Sequence, residues 1–204
     1  MRKVLFAFAA AIALTALSVP VNAATIVLAT TLSGASEVPP VGSPGTGNAV
    51  VTVDTVGNTM IVSANFSGLL STTAAGAPSG TTASHIHCCT LPGANAGVTT
   101  AVPSFPGFPL GVTSGTFLNT FDLTVASTYN PAFITAQGGL ANARVVFLNG
   151  LQGGLTYFNI HTNAFPGGEI RGQLQTVPEP ATMILLGTGL AAVVGRKLRR
   201  RRSE

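Results

Sequence analysis

The stretch Leu155–Gln175 reads LTYFNIHTNAFPGGEIRGQLQ, and it decides the fold of the chain. Apolar and polar residues alternate in both halves of the stretch, and Pro166-Gly167-Gly168 lies between them. Alternation with a period of two is typical of a β-strand that buries one face, so the stretch predicts a β-hairpin. A cross-strand ion pair between Glu169 and Arg171 would account for its two charges. The apolar face carries Phe158, Ile160, Ile170 and Leu174, and the polar face carries Tyr157, Asn159, His161, Glu169, Arg171 and Gln173.

The same alternation predicts further strands upstream of the hairpin. Two of them are separated by Gly57-Asn58, which is a strong signal for a tight hairpin turn. The body of the chain is therefore predicted to be mainly β. The predicted strands are Thr25–Ser33, Asn48–Thr55, Thr59–Ser67, Ala83–Cys89 and Thr116–Val125.

Two short helices are predicted between the last of these strands and the hairpin. Asn130-Pro131 combines an N-cap residue with proline at the first helical position, and Gly138-Gly139 ends this first helix. The second is predicted over Leu140–Gln152, where apolar residues recur on one side and Gly153-Gly154 follows.

Charged residues make up only 8% of the chain, against about 25% in a typical soluble domain. Most of the basic residues lie at the two ends of the chain. Between Ala24 and Thr176 there are two basic and four acidic residues, so the body carries a charge of −2 (2 minus 4). Nucleic-acid binding needs basic residues clustered on a folded face, so we expect no nucleic-acid partner. The charged residues of the body are Arg144, Arg171, Glu37, Asp54, Asp122 and Glu169.

The N-terminal segment 1–23 has the order of a secretory signal peptide. Arg2 and Lys3 precede an apolar run over Val4–Leu17, and small residues follow up to Ala23. The run is short for a transmembrane anchor, which needs about 20 residues. Cleavage after Ala23 is therefore predicted, and the folded domain is expected over residues 24–176.

The C-terminal segment 177–204 has three parts. Pro178-Glu179-Pro180 is followed by an apolar run over Ala181–Gly195 and by an Arg-rich end over Arg196–Arg202. At about 1.5 Å per residue this run reaches roughly 22 Å, less than the roughly 30 Å of a bilayer core. It can span only if its basic flanks snorkel or the bilayer thins. The basic end is expected to stay in the cytoplasm.

This three-part order resembles the PEP-CTERM sorting signal of Gram-negative bacteria. The resemblance implies a short transmembrane helix that anchors the chain transiently in the inner membrane. It further implies the export machinery as a partner and an exosortase that cuts near Pro178-Glu179-Pro180 during delivery to the cell surface. An ordinary tail anchor is the alternative, although such an anchor needs no Pro-Glu-Pro motif.

The chain has three histidines, His85, His87 and His161. Residues two apart on a strand share a face, so His85 and His87 point the same way. Three histidines with an open position are the ligand set of a catalytic zinc site, and imidazole also suits copper, nickel and iron. We therefore predict a metal site, with Cu or Zn as the ion, if the two strands lie side by side. The alternative is that these histidines only form hydrogen bonds to the backbone and loops.

Cys88 and Cys89 are the two cysteines of the chain, and an exported protein meets an oxidising compartment. Adjacent residues on a strand point to opposite faces, so a disulfide between them requires a distorted turn. Three states are open from the sequence. The pair forms a disulfide, or remains as two buried thiols, or Cys89 is a soft extra ligand beside His87.

The sequences Ala83–His87, Tyr157–Thr162 and Phe165–Gly172, with Glu37-Val38-Pro39-Pro40 upstream, resemble the CHRD domain. The resemblance covers about residues 24–175. It implies a β-sandwich of immunoglobulin-like or superoxide-dismutase-like character, with terminal signal and anchor helices added here. No defined activity comes with the bacterial members of this family. Cys88-Cys89 departs from the commoner pattern, in which small residues and glycine follow the histidine pair.

Two functions are consistent with these features. We expect an exported, non-catalytic protein of the cell surface or extracellular matrix, linked to exopolysaccharide or biofilm. The alternative is a secreted protein that binds Cu or Zn at His85, His87 and His161, either as a metal-binding module or as a redox enzyme. No nucleophile-elbow sequence and no phosphate-binding glycine loop is found in the chain.

Overall fold

The structure, a computed structural model, describes residues 25–177 and 187–189. The predicted signal peptide (1–23) and Pro178-Glu179-Pro180 lie outside the described residues. Of the predicted C-terminal anchor, residues 187–189 are described, and they are helical. In these two ranges, every helix is too short or too polar to cross a bilayer.

Alternating apolar residues form eight β-strands between residues 25 and 177, and two short α-helices are inserted before the sixth strand. This confirms the prediction of a mainly β domain with short helices. The strands are β1 (Thr25–Ser33), β2 (Thr46–Asp54), β3 (Thr59–Ser67), β4 (Thr81–Cys88), β5 (Gly115–Asp122), β6 (Thr156–Thr162), β7 (Ile170–Gln173) and β8 (Gln175–Thr176). The helices are α1 (Pro131–Ala136) and α2 (Leu140–Gln152).

The strands form one antiparallel sheet in the order β4-β6-β7-β1-β2-β3-β5, with β8 paired to β1. The sheet curls so that its two halves share one hydrophobic core. Leu28 and Val62 come from one half and Phe158 and Ile160 from the other, and all four are fully buried in the same cluster. Burial of this apolar surface, at about 25 cal/mol per Å², is the main force that holds the halves together.

Both helices begin and end close to the predicted residues. Asn130 caps α1 as predicted, because its Oδ1 accepts a hydrogen bond from the N–H of Ala132 at 3.0 Å. α2 has the predicted bounds and packs on the core through Phe147 and Leu151.

The half of the sheet formed by β4, β6 and β7 is buried on both faces. Ile86 and Phe158 face the core. The opposite face is covered by two loops, residues 34–45 and 89–114, which hydrogen-bond to side chains of this face. Every residue of β6 except His161 is buried. The prediction that the strand buries only one face is therefore wrong for β6, because the covering loops carry no periodicity that reveals their position.

Candidate metal centre

The register of β4 and β6 places six side chains in a two-by-three array on the loop-covered face. Alternate residues of a strand share a face, and antiparallel partners lie side by side. The three histidines therefore occupy neighbouring positions of the array, as the metal prediction requires. The rows of the array are Ala83–His161, His85–Asn159 and His87–Tyr157.

The three imidazole rings meet above this array. Their centroids are 5.2 Å apart for His85 and His161, 5.9 Å for His85 and His87, and 6.0 Å for His87 and His161. One ring nitrogen from each lies within 4.8 Å of the other two. Metal–nitrogen bonds of about 2.0–2.1 Å at tetrahedral angles put the ligands of one ion about 3.4 Å apart, so a shift of each ring by less than about 1 Å would bring the three nitrogens around one ion.

Each ring is held by one backbone carbonyl of a covering loop or turn. A carbonyl oxygen only accepts hydrogen bonds, so the bonded ring nitrogen carries the proton and the tautomer is fixed. Such outer hydrogen bonds orient histidines that bind metals. The donors are His85 Nε2 to Pro103 O at 2.8 Å, His87 Nδ1 to Ala96 O at 2.9 Å and His161 Nδ1 to Pro166 O at 2.9 Å.

The second nitrogen of each ring is left without a partner. His85 Nδ1, His87 Nε2 and His161 Nε2 are buried and accept no hydrogen bond. Each therefore presents an unused lone pair inside the protein, which is costly for a buried polar atom. Three such lone pairs at one place match the needs of a transition-metal ion.

Burial also keeps the three rings uncharged. It lowers the pKa of His85 to about 4, assisted by His161 and opposed by the bond to Pro103. It lowers the pKa of His87 to about 4 and lowers that of His161 as well. The rings are therefore neutral at neutral pH, and only neutral imidazole offers a lone pair to a metal.

An aromatic and cationic stack fixes the ring of His87. Tyr157 lies parallel to this ring, with centroids 4.6 Å apart, and the guanidinium of Arg171 lies 4.3 Å from the Tyr157 centroid. The Tyr157 hydroxyl also donates to Ala96 O at 3.2 Å, the same carbonyl that His87 binds. The loop that orients His87 is thus attached to the array at two points.

Arg171 and Glu169 do not form the predicted ion pair. The Arg171 guanidinium donates to Ser36 O at 2.7 Å, to Asn95 Oδ1 at 2.8 Å and to Ala94 O at 3.2 Å, so it ties both covering loops to the sheet. The prediction failed because these acceptors are provided by loops remote in sequence.

The buried carboxylate of Glu169 has its own set of neutral donors. It accepts from Ser43 Oγ at 2.6 Å, from the N–H of Leu70 at 2.7 Å and from Thr162 Oγ1 at 2.5 Å. Glu169 therefore stabilises the turn after β6, and it is not a ligand of the histidine cluster.

Asn159 completes the array beside His85. Its Nδ2 donates to Glu37 Oε1 at 2.7 Å, while its Oδ1 is buried without a partner. Burial raises the pKa of Glu37 to about 7, against the opposing effects of Arg171 and of this hydrogen bond. Gly168 leaves room for the pair, since a Cβ there would lie 2.5 Å from Asn159 Nδ2, and its φ of +134° suits glycine.

The family comparison agrees with this fold and with the motifs that build the array. The family model of the CHRD domain matches residues 28–174. The chain belongs to the CHRD domain family. No curated protein and no solved structure matches it.

A second family match follows the CHRD domain directly. The model of the PEP-CTERM protein-sorting motif matches residues 176–201. The chain is therefore an exported protein that an exosortase processes, and it is directed to the cell surface or the extracellular space.

Within the CHRD domain, Cys88 and Cys89 are joined by a disulfide. Both sulfurs contact Gly150 of α2, and Cys89 Sγ lies 3.7 Å from Val146 O. The alternative in which Cys89 is an extra metal ligand is wrong, because its sulfur is bonded to Cys88. The cluster of possible ligands contains His85, His87 and His161 alone, among the residues that the structure describes.

Sequence reasoning identified the three histidines of the CHRD domain and missed the groups that orient them. Asn159 was on the predicted polar face between Tyr157 and His161, so its place in the array was available from the alternation. The three carbonyl acceptors were not, because a backbone carbonyl leaves no mark in the residue types of a loop.

Proposed function

We propose that this exported CHRD protein binds one transition-metal ion, Zn²⁺ or Cu²⁺, through His85, His87 and His161. The observation that carries the proposal is the three buried imidazole nitrogens that lack a partner, one on each ring. If these histidines only satisfied backbone groups, nothing would require three rings, each with one unpartnered nitrogen, to meet so closely that one nitrogen of each lies within 4.8 Å of the other two.

The chemistry of the cluster favours a borderline ion of this kind. Imidazole suits zinc, copper, nickel and iron, whereas calcium and magnesium take oxygen ligands. The three protons are already held by carbonyls on the outer side of each ring. Binding therefore requires no change of tautomer and, at neutral pH, no release of protons from the rings.

The test is a metal titration of the purified full-length chain after treatment with EDTA. Isothermal titration with Zn²⁺ and with Cu²⁺, checked by elemental analysis after gel filtration, is expected to give one ion per chain. Replacement of the least buried ligand, His161→Ala, is expected to weaken binding by more than about 100-fold, beyond the 10–100-fold effect of outer-shell changes. A wild-type chain that retains no ion of either kind would overturn the proposal.

Tyr157→Phe is the matched control for this experiment. It keeps the ring that stacks on His87 and removes only the hydroxyl that binds Ala96. Affinity is expected to fall by no more than about tenfold, the lower limit for outer partners. Equal losses in His161→Ala and Tyr157→Phe would mean that the histidine acts through packing and not as a ligand.

We further propose that the metal-binding CHRD domain has no catalytic role. His85 and His87 are buried, and the covering loops leave His161 as the partly exposed member of the cluster. A steady-state assay of superoxide dismutation by the copper-loaded chain is expected to show no more activity than His161→Ala. Activity that depends on His161 would assign a redox enzyme instead.

A matrix role linked to exopolysaccharide is the second candidate function. The outward face of β2, β3 and β5 favours it, because hydroxyl and amide side chains predominate there around the exposed Val50, Ile61 and Leu118, and its charges, Asp54 and Asp122, lie at one end. Cosedimentation of the purified chain with exopolysaccharide from the host is the test, and a chain that stays in the supernatant would exclude this role. The face includes Asn48, Thr52, Ser63, Asn65, Thr116 and Thr120.

A further inference from the structure

One buried polar atom of the array has no role in the bonds described above. Asn159 is 2% exposed, and its Oδ1 accepts no hydrogen bond. Its Nδ2 is engaged by Glu37, so the oxygen lies on the side of the amide that faces away from that carboxylate. Buried side-chain oxygens of this kind almost always have a partner, either in the protein or in an ordered water.

The register places Asn159 itself among the histidines. Asn159 lies directly opposite His85 and two residues before His161 on the same face. Directly opposite residues have Cβ atoms about 4.5–5.5 Å apart. An ion held by His85, His87 and His161 would therefore sit beside Asn159, which occupies the row between His161 and His87.

We infer that Asn159 is a positioning residue for the fourth ligand of the metal, with its Oδ1 accepting a hydrogen bond from a water molecule on the ion. This inference rests on the proposed function. Three protein ligands leave one tetrahedral position for such a water. The Oδ1 atom selects a ligand with a proton to donate, such as water, hydroxide or an amine, over a halide or azide.

In its ionised form Glu37 keeps the amide in this orientation, because a carboxylate only accepts hydrogen bonds and so attracts Nδ2. The charged groups that face Asn159 are Glu37 from the loop 34–45 and Arg171, its partner on β7. Arg171 donates through Nε, NH1 and NH2 to loop groups.

The experiment is a pH titration of the Co²⁺-loaded full-length chain, in which the visible absorption of Co²⁺ reports ionisation of the bound water. An acceptor stabilises water more than hydroxide, which is the weaker donor, and so raises the apparent pKa of the water. Asn159→Leu has nearly the same shape and lacks the acceptor. It is expected to lower this apparent pKa by about 0.4–1 unit, the effect of one typical hydrogen bond, while the Co²⁺ affinity stays within about tenfold.

Asn65→Leu on the exposed face of β3 is the matched control and is expected to leave both quantities unchanged. An Asn159→Leu chain that binds Co²⁺ and shows the same apparent pKa of the bound water as the wild type would overturn this inference and leave the proposed function intact. Failure of the wild-type chain to bind Co²⁺, Zn²⁺ or Cu²⁺ would instead overturn the proposed function, and this inference with it.

A crystal structure of the Zn²⁺-loaded wild-type chain decides the question if Asn159→Leu does not fold. The expected result is a zinc-bound oxygen within about 3.2 Å of Asn159 Oδ1, the upper limit of a good hydrogen bond. A zinc-bound oxygen that lies beyond this distance from Oδ1, or a fourth ligand that cannot donate, would overturn the inference.

Discussion

Arg171 joins two loops, one strand and one aromatic ring through a single planar group. Its guanidinium binds Ser36 in one loop and Ala94 and Asn95 in the other, and it covers the face of Tyr157. The planar fork of arginine can make these contacts together, whereas the point charge of lysine cannot. Arg171 thus holds in place the loop segment whose carbonyl orients His87.

We predict that Arg171→Lys lowers the free energy of unfolding by about 2–4 kcal/mol, because bonds from a charged donor contribute about 1.5–3 kcal/mol each. Urea denaturation of the metal-free chain measures the loss. Arg144→Lys is the control, since Arg144 donates to the side chain of Asn58 at a half-buried site and the ammonium of lysine can also donate to that group, so the change should cost about 1 kcal/mol or less. Similar losses in the two variants would contradict the bridging role of Arg171.

The titration of the buried residues predicts how stability depends on pH. The pKa of His85 and of His87 falls from 6.5 to about 4 on folding, so the unfolded chain binds more protons between these values. Their contribution to stability is full above about pH 6.5 and is lost as the pH falls toward 4. Glu37 acts in the opposite direction, because its pKa rises from 4.5 to about 7 and the folded chain binds the extra proton in that window.

Glu37→Gln removes this opposing contribution and keeps an acceptor for Asn159. We therefore predict that the metal-free Glu37→Gln chain loses stability more steeply than the wild type between pH 6.5 and 4.5. Urea denaturation at several pH values in this window gives the slope of the free energy of unfolding against pH for each of the two chains. Equal slopes would show that Glu37 does not take up a proton in the folded state.

At the level of single residues, the sequence predicted which side chains share a face and failed on their partners. The alternation along β4 and β6 placed His85, His87 and His161 correctly on one polar face, because the period of a strand is local. The ion pair of Glu169 and Arg171 was wrong, because each found partners more than 70 positions away. Contacts of that range depend on how the covering loops fold back, which no local pattern encodes.

Among the elements, α2 packs against the disulfide of Cys88 and Cys89 at Gly150. A Cβ at this position would overlap the sulfur of Cys88 and lie 2.7 Å from that of Cys89. In an exposed helix, replacing glycine by alanine stabilises by about 1 kcal/mol. Here the contact with the disulfide makes the same replacement destabilising.

We predict that Gly150→Ala destabilises the chain by about 1–3 kcal/mol, the usual cost of overpacking a tight contact. Thermal and urea denaturation measure the change. Gly42→Ala is the control, because a Cβ there meets nothing within 4 Å, and it is expected to change stability by less than about 0.5 kcal/mol. A stabilised Gly150→Ala chain would mean that α2 does not pack against the disulfide.

The order of elements was largely predictable, and the missing information lay in the loops. β1 and β3 have the predicted bounds, and so does α2, since strong periodicity and glycine boundaries mark them. The segment 89–114 is rich in glycine and proline and has no period, yet it supplies the carbonyls of Ala96 and Pro103 to the histidines. The candidate site was therefore predictable as a set of three ligands and not as an enclosed centre.

At the scale of the whole molecule, the order of its parts bears on where the domain folds. The match to the CHRD domain ends at residue 174 and the match to the PEP-CTERM motif begins at residue 176, so no long linker separates the domain from the sorting signal. The disulfide of Cys88 and Cys89 is of a kind that persists in oxidising compartments. We expect the domain to complete its fold only after export, so the proposed metal would bind outside the cytoplasm.

The sorting signal gives the last prediction. In a host that has an exosortase, the surface form of the protein is expected to begin at Ala24 and to lack residues 181–204, because a run of about 22 Å is a poor permanent anchor for a bilayer core of about 30 Å. Mass spectrometry of the surface fraction measures both ends. Replacing Pro178-Glu179-Pro180 by three alanines is the matched control, since it leaves the apolar run and the Arg-rich end unchanged. This variant should keep residues 181–204 and remain in the membrane fraction, and a native surface form that also keeps them would show that the segment is only an anchor.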